Sequence, residues 1–494
     1  MSHFGWIDGG IVGLYLIATM AAGLAVRRYV GGVEDFLLAG REMDVHLGIA
    51  SLAATEFGIV TCMYAAESGY RFGFAGSTPG ILMALAMFFV GVTGFCVKPL
   101  REAGVMTLPE LFERRFGSRI RRASGVVIVL GGLLNMGVFL RTGGEFLMTI
   151  VGLGGVSPGG AGSWAAAHRL ELTMTALLLM VAVYTILGGM LSVLVTDFLQ
   201  FVVMSLGLVA VTYLLLGEIG YAALANTVEA RLGAGGFNPF VNPEMGWPYV
   251  LFNVFFNLGV VLTWQTSLQR VMAAKDSRTG QRIYVGTAFF FVCRFLIPGL
   301  WGIAALHTLG ATGGVTSLTA MPVWLAGFLP MGLMGLVVAA MLAADMSTDS
   351  SYMLTWTSVI YNDIVAPWRR PGWNERKGLL LNRVLVAAIG LFLLLYGLWY
   401  PLRSDLWAYM GVTATIYLAS MSTLLVACCY WPRATPRGAA AAIVVGAVIP
   451  VAYLVLEQVA PGVRTSVGPY WSGILAYVGS ALAMIAGSLS QEAA

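Results

Sequence analysis

Charge is what this sequence has least of. Only 11% of its 494 residues are Asp, Glu, Lys or Arg, against 58% that are hydrophobic. A soluble globular chain carries about 25% charged residues. The shortage excludes a water-facing surface over most of the chain, and with it a soluble enzyme, a secreted domain and a nucleic-acid binder. The net charge of +4 is too small to call for a polyanionic partner. Cysteine is scarce as well. Cys62, Cys96, Cys293, Cys428 and Cys429 lie in or beside apolar runs and show neither disulfide nor zinc spacing. No GxxxxGK[ST] loop occurs, so nucleotide hydrolysis is not the energy source. No nucleophile–base arrangement or cofactor loop marks an enzyme, and no organic cofactor is expected. What is abundant is apolar surface, with a mean hydropathy of +0.82, and glycine, at 62 residues. Small residues let membrane helices approach closely. The composition describes an all-α polytopic membrane protein whose surroundings are the lipid bilayer, as a monomer or loose oligomer.

A bilayer core takes about 20 apolar residues per helix. Such runs lie near 6–26, 46–70, 77–98, 123–153, 170–190, 191–217, 247–272, 283–307, 321–352, 379–400, 405–431, 438–458 and 469–488, which makes thirteen spans. The first is long enough to span and lacks a cleavage site, so it is expected to remain. The division at Gly188-Gly189 leaves almost no loop. With the N-terminus outside, the inner connections hold 21 Lys and Arg residues, among them Arg114, Arg115, Arg119, Arg121, Arg122, Arg270, Arg369 and Arg370. The outer ones hold 5: Arg71, Arg169, Arg231, Arg403 and Arg464. Positive charge favours the cytoplasmic side. The bias therefore supports an N-terminus outside, a cytoplasmic C-terminus and a plasma (inner) membrane location. No connection is long enough for a second domain. Residues 1–494 read as one transporter unit, with a peripheral first helix, a core over about 46–431 and two extra helices over 438–488.

Ionisable groups inside a span are costly and mark function by default. Seven stand out: Glu56, Arg141, Glu145, Asp197, Arg294, Asp345 and Asp349. Glu56 lies in "SLAATEFGIVTCMYAAESG", where Thr55, Glu56, Gly58 and Thr61 interrupt an apolar run. Either the helix breaks there and its freed backbone groups bind ions, or it continues with Glu56 paired to an Arg. In "AAMLAADMSTDSSYM", Ser347 and Thr348 supply hydroxyls and Ala344 a carbonyl. Hard cations take oxygen ligands; hydroxyls also serve as interhelical hydrogen-bond donors. Asp197 is either a buried ligand or an interfacial acid at a helix start. Arg141 either pairs with Glu145 one turn on or grips a solute carboxylate. A matching interruption at Asn257 and Gly259 in "FFNLGVVLTWQ" suggests a second broken helix, as in inverted repeats.

Five stretches, in order, resemble the sodium/solute symporter family, which includes sodium–glucose, sodium–proline and sodium–pantothenate carriers. They are "EDFLLAGR" (34–41), "TLPELFERRFG" (107–117), "YTILGGMLSVLVTDFLQ" (184–200), "WQTSLQRVMAAKD" (264–276) and "GLVVAAMLAADMSTDSS" (335–351). The resemblance covers residues 5–435. It implies a leucine-transporter-like five-plus-five inverted repeat, alternating access and Na⁺ as coupling ion. It also implies a sodium site made by the carbonyls of Ala54, Phe57 and Ala344 and the hydroxyls of Ser347 and Thr348. Some members hold a second sodium, which here would fall to Asp197, Ser350 and Ser351. The expected solute lining is Glu56, Thr61, Cys62, Met87, Arg141, Asn257, Val260, Tyr409 and Thr413. Glu56 with Arg141 would suit an amino acid; a small carboxylate is the nearest rival. Glu56, Asp345 and Asp349 depart from the family pattern and leave the coupling ion and its count open. The function classes are a sodium-coupled symporter of a small organic solute, a proton-coupled carrier on the same scaffold, or a membrane sensor. The tail "SLSQEAA", with no output domain, disfavours the sensor.

Overall fold

Helix follows apolar run along nearly the whole chain in the computed structural model, which describes residues 4–152, 164–310, 315–365, 367, 374–401, 405–460, 462 and 466–492. Of the cations counted above, Arg369, Arg370, Arg403 and Arg464 fall outside the described residues. The principal helices are α1 (Trp6–Ala25), α2 (Val45–Glu56), α3 (Ile59–Phe72) and α4 (Thr78–Thr93). Next come α5 (Ser118–Met136), α6 (Phe139–Ile150), α7 (Arg169–Glu218), α8 (Gly246–Thr263) and α9 (Gln265–Ala273). The remainder are α10 (Ser277–Leu309), α11 (Leu333–Val359), α12 (Glu375–Trp399), α13 (Leu406–Tyr430), α14 (Pro436–Val459) and α15 (Gly468–Glu492). No strand occurs among the described residues.

Among the described residues, eleven helical stretches are long and apolar enough to cross a bilayer. The expected thirteen differ from this count because helices run on where separate spans were drawn. The 50 residues of α7 would measure about 75 Å at 1.5 Å per residue, more than twice a bilayer core of about 30 Å. Within α7, Gly189 has φ 53° and ψ −145°, a conformation open to glycine at little cost. The turn falls at the Gly188-Gly189 division.

Two spans are interrupted. α2 stops at Glu56; Phe57 (φ −94°, ψ 52°) and Gly58 (φ −70°, ψ 164°) leave helical geometry before α3 begins. A Cβ on Gly58 would stand 2.5 Å from Thr348 Oγ1, so glycine lets the break lie against α11. The second interruption is at Trp264 (φ −65°, ψ 118°), not at Asn257–Gly259 as expected. Asn257 stays helical and donates to Asn253 O at 2.7 Å. Gly259 serves packing instead, because a Cβ there would meet Tyr477 Oη at 2.6 Å.

The core sits around α11, whose residues from Val337 to Val359 are all buried. α3 and α10 pack backbone to backbone: a Cβ on Gly69 would collide with Gly299 O, and one on Gly302 with Ala66 O. Asp276 caps α10 by accepting from Thr279 N at 2.6 Å. That amide holds the exposed Asp276 carboxyl below its usual range.

Candidate functional site

The two interruptions face α11, where a cluster of oxygens collects. Ser347 Oγ donates to Ala54 O at 3.0 Å and to Ala344 O at 3.1 Å. Thr348 Oγ1 donates to Thr55 O at 2.8 Å. Ala54, Ala344, Ser347 and Thr348 therefore converge between the end of α2 and the middle of α11, with Phe57 at the point where α2 stops. An all-oxygen set of carbonyls and hydroxyls suits a hard cation, so the residues fit the sodium site implied by the family resemblance.

The second expected sodium site is built differently. Asp197 is fully buried and accepts from Ser51 Oγ at 2.6 Å. The cation beside it is Arg270, at 3.3 Å. Arg270 also donates to Ser351 Oγ (2.6 Å), Thr55 Oγ1 (2.7 Å) and Ser51 Oγ (3.2 Å). Ser350 turns back to Ser347 O at 3.2 Å. Arg270 was counted among the inner-loop charges; the structure buries it completely. It lies on α9, just beyond the Trp264 interruption, and ties that half-helix to α2, α7 and α11. The available signal was its setting in "QTSLQRVMA", which contains no other charge.

Beside the oxygen cluster lies a cavity of about 50 Å³. Thr348 lines it, and so do Glu56, Thr61 and Val260 of the expected set. Glu56 Oε2 faces Arg294 Nη1 at 3.3 Å, and its Oε1 accepts from Thr266 at 2.5 Å. Arg294 in turn donates to Tyr64 Oη at 2.7 Å and lies over the rings of Phe291 and Phe295, 4.8 and 5.6 Å from their centroids. The remaining wall includes Met83, Asn135, Phe139, Phe256, Trp264, Tyr352, Trp407 and Met410. None of these eight was anticipated. They come from six helices and an interruption, and no local pattern announces such a convergence.

The other expected lining residues lie outside this cavity. Arg141 is held by Glu145 at 2.7 Å and Gly397 O at 3.0 Å, so the clamp of Glu56 with Arg141 does not form. Tyr409 donates to Leu134 O at 2.7 Å, and Thr413 accepts from Asn135 at 2.9 Å; both border a separate aromatic recess with Tyr396 and Tyr400. Cys62, Met87 and Asn257 are buried elsewhere in their helices. Asp345 and Asp349, one turn apart on α11, are buried with no hydrogen-bond partner for any carboxylate oxygen among the described residues. Asp345 lies against α6, where a Cβ on Gly143 would meet its Oδ1 at 2.6 Å.

Residues 36–446 match the model of the sodium:solute symporter family. Sodium/glucose cotransporter 4 of Danio rerio is 26% identical, over 92% of this chain and 72% of that protein. The sodium/glucose cotransporter of Vibrio parahaemolyticus is 28% identical, over 78% and 73%. Sodium/myo-inositol cotransporter 2 of Mus musculus is 26% identical, over 92% and 70%. Among solved structures, a substrate-bound, outward-open Na⁺-coupled sialic acid symporter superposes over 98% of both chains, with a TM-score of 0.79 at 18% identity. That likeness gives the fold of a Na⁺-coupled symporter. The matched proteins are transporters rather than enzymes, and sodium is their coupling ion. The interrupted helices, the oxygen cluster on α11 and the family match agree: the chain belongs to the sodium:solute symporter family.

Proposed function

We propose that the protein imports a small organic solute, an amino acid or small carboxylate, by sodium-driven alternating access. In this reading one sodium is held by Ala54, Phe57, Ala344, Ser347 and Thr348, and the solute occupies the cavity beside it. The observation that carries the reading is the position of Thr348. Its hydroxyl belongs to the oxygen cluster and its side chain lines the cavity, so occupation of one changes the wall of the other. A ligand shifts an equilibrium only through differential affinity, and a shared residue is a direct source of it. Asp197 already has a cation in Arg270, which favours a single sodium.

One monovalent ion gains about 2.3 kcal/mol across 100 mV and about 1.4 kcal/mol from a tenfold gradient. Together these support accumulation of a neutral solute by several hundred-fold. Import follows from an inward sodium gradient; the charge bias, 20 against 5 without Arg270, supports an N-terminus outside and a cytoplasmic C-terminus. The test is uptake into proteoliposomes with external sodium replaced by choline at fixed pH. Loss of uptake is expected. Uptake that persists in choline and follows a pH gradient supports the second reading, a proton-coupled carrier, which the unpartnered Asp345–Asp349 pair favours.

A further inference from the structure

The central cavity carries two formal charges, and they are opposite. Glu56 and Arg294 stand side by side in its wall, 3.3 Å apart. A solute bearing one net charge would bring an uncompensated ion into a half-open, mostly apolar space, which is unfavourable. The net-neutral wall therefore disfavours both a simple carboxylate and a simple amine.

The wall also disfavours a polyol. Thr61 and Tyr64 of the wall, and Thr266 beside it, bond at or next to Glu56 and Arg294, and the wall's Thr55, Asn135, Thr348 and Tyr352 already bond to protein partners. Much of the rest of the wall is carbon, including Met83, Phe139, Phe256 and Met410. One free acceptor stands among them, Asn135 Oδ1. Five or six hydroxyls distributed around a ring would meet mostly carbon, and buried polar groups without partners are penalised.

What fits is a molecule with both charges at one end and an apolar body. The Glu56–Arg294 contact is longer than the roughly 2.7–2.9 Å of a tight charge-assisted pair. Arg294 Nε is buried without a partner among the described residues. The guanidinium therefore has unused donor capacity next to a carboxylate. An α-amino acid carries its ammonium and carboxylate on a single carbon, and so presents the complementary pair at matching spacing. Taking the central cavity as the solute site proposed above, we infer that the solute is a zwitterion of the α-amino acid type with an apolar or aromatic side chain. Its carboxylate sits on Arg294, its ammonium on Glu56 and its side chain against Trp407, Phe256 and Met83.

The experiment uses the full-length protein in sodium-containing buffer and in proteoliposomes. The probes are the twenty amino acids, the N-acetyl and amide derivatives of leucine and phenylalanine, propionate, glucose and myo-inositol. Apolar amino acids are expected to raise thermal stability and to be taken up with sodium. Derivatives lacking either charge should bind about 100-fold more weakly or worse, as when a buried hydrogen-bonding site loses its partner. Glu56→Gln should equalise an amino acid and its N-acetyl form, while stabilisation by sodium alone reports that the variant is folded; Arg294→Lys should keep part of the affinity. An N-acetyl or amide form that binds as tightly as its parent overturns the inference. Sodium-dependent uptake of glucose or myo-inositol in preference to amino acids overturns it too, while leaving sodium symport intact. Uptake of a probe that is indifferent to sodium removes the symport reading itself.

Discussion

Removing either member of the Arg270–Asp197 pair should destabilise the protein far more than removing both. The pair has no exposed surface. Arg270 satisfies Thr55, Ser351 and Ser51 as well as Asp197, through contacts of 2.6 to 3.3 Å. Arg270→Met leaves the Asp197 carboxylate in the core without its cation; Asp197→Asn leaves the guanidinium without its anion. Breaking a buried pair from one side costs about 3–5 kcal/mol. If the two losses were independent, the double variant would lose about 6–10 kcal/mol. In fact Arg270→Met with Asp197→Asn leaves no charge to compensate. The amide can still accept from Ser51, so the double variant should be no worse than either single one. The coupling is then about 3 kcal/mol or more. The assay is the fraction of protein remaining monodisperse after a temperature series in detergent, compared at one heating time because unfolding of such proteins is a rate as much as an equilibrium. Additivity of the singles within about 0.5 kcal/mol would refute the view that Arg270 acts as the counter-charge of Asp197.

Ser347→Ala and Thr348→Ala should each raise the sodium concentration for half-maximal uptake by about ten-fold, the equivalent of one lost ligand contact of about 1.4 kcal/mol, whereas Ser350→Ala should change it much less; equal effects at all three would argue against the oxygen cluster. Gly58→Ala should impair sodium dependence similarly, because the added methyl meets the Thr348 hydroxyl, and sodium titration of transport reads the outcome. Gly302→Val should prevent accumulation of folded protein, since even a Cβ collides with the Ala66 carbonyl; normal yield and activity would contradict the backbone packing described. Asp276→Ala should lose about 1 kcal/mol of helix capping. Since the Asp276 carboxyl is held below its usual range, the cap is fully effective above the ordinary carboxylate pKa and is lost only as pH falls through the lowered value. Melting temperature against pH for wild type and variant should converge in acid.

The fold was largely legible in the sequence because lipid imposes a long apolar run on every crossing and the motifs occur in family order. Boundaries were less so. Among the described residues the thirteen runs become eleven long helical stretches because Ile59–Thr93 and Arg169–Glu218 each run on through two of them. The hydroxyls of Ser347 and Thr348 alone left an ion ligand and an interhelical hydrogen bond equally open; it was the family resemblance that pointed to an oxygen cluster there. Arg270 was misplaced for the opposite cause: a cation near a span's end reads as a loop charge until its partners on three other helices are seen. In the sequence Glu56 and Arg141 read as two ends of a clamp on the solute, but Arg141 has its own acid four residues on, and the cation beside Glu56 is Arg294. Sequence spacing finds pairs on one helix; it has no access to pairs across the bundle.

The contact between α3 and α10 sets how the protein can move. Backbone resting on backbone, with glycine on both sides, has no side-chain layer to shear, so α3, the second half of the interrupted span, is tied closely to α10. The two must swing as a single lever. Phe57 and Gly58, the short non-helical joint, are then where α3 can turn against α2, and that joint also borders the oxygen cluster proposed to hold sodium. The ion would act at the fulcrum, where a small change in geometry gives the largest displacement at the far end of the arm.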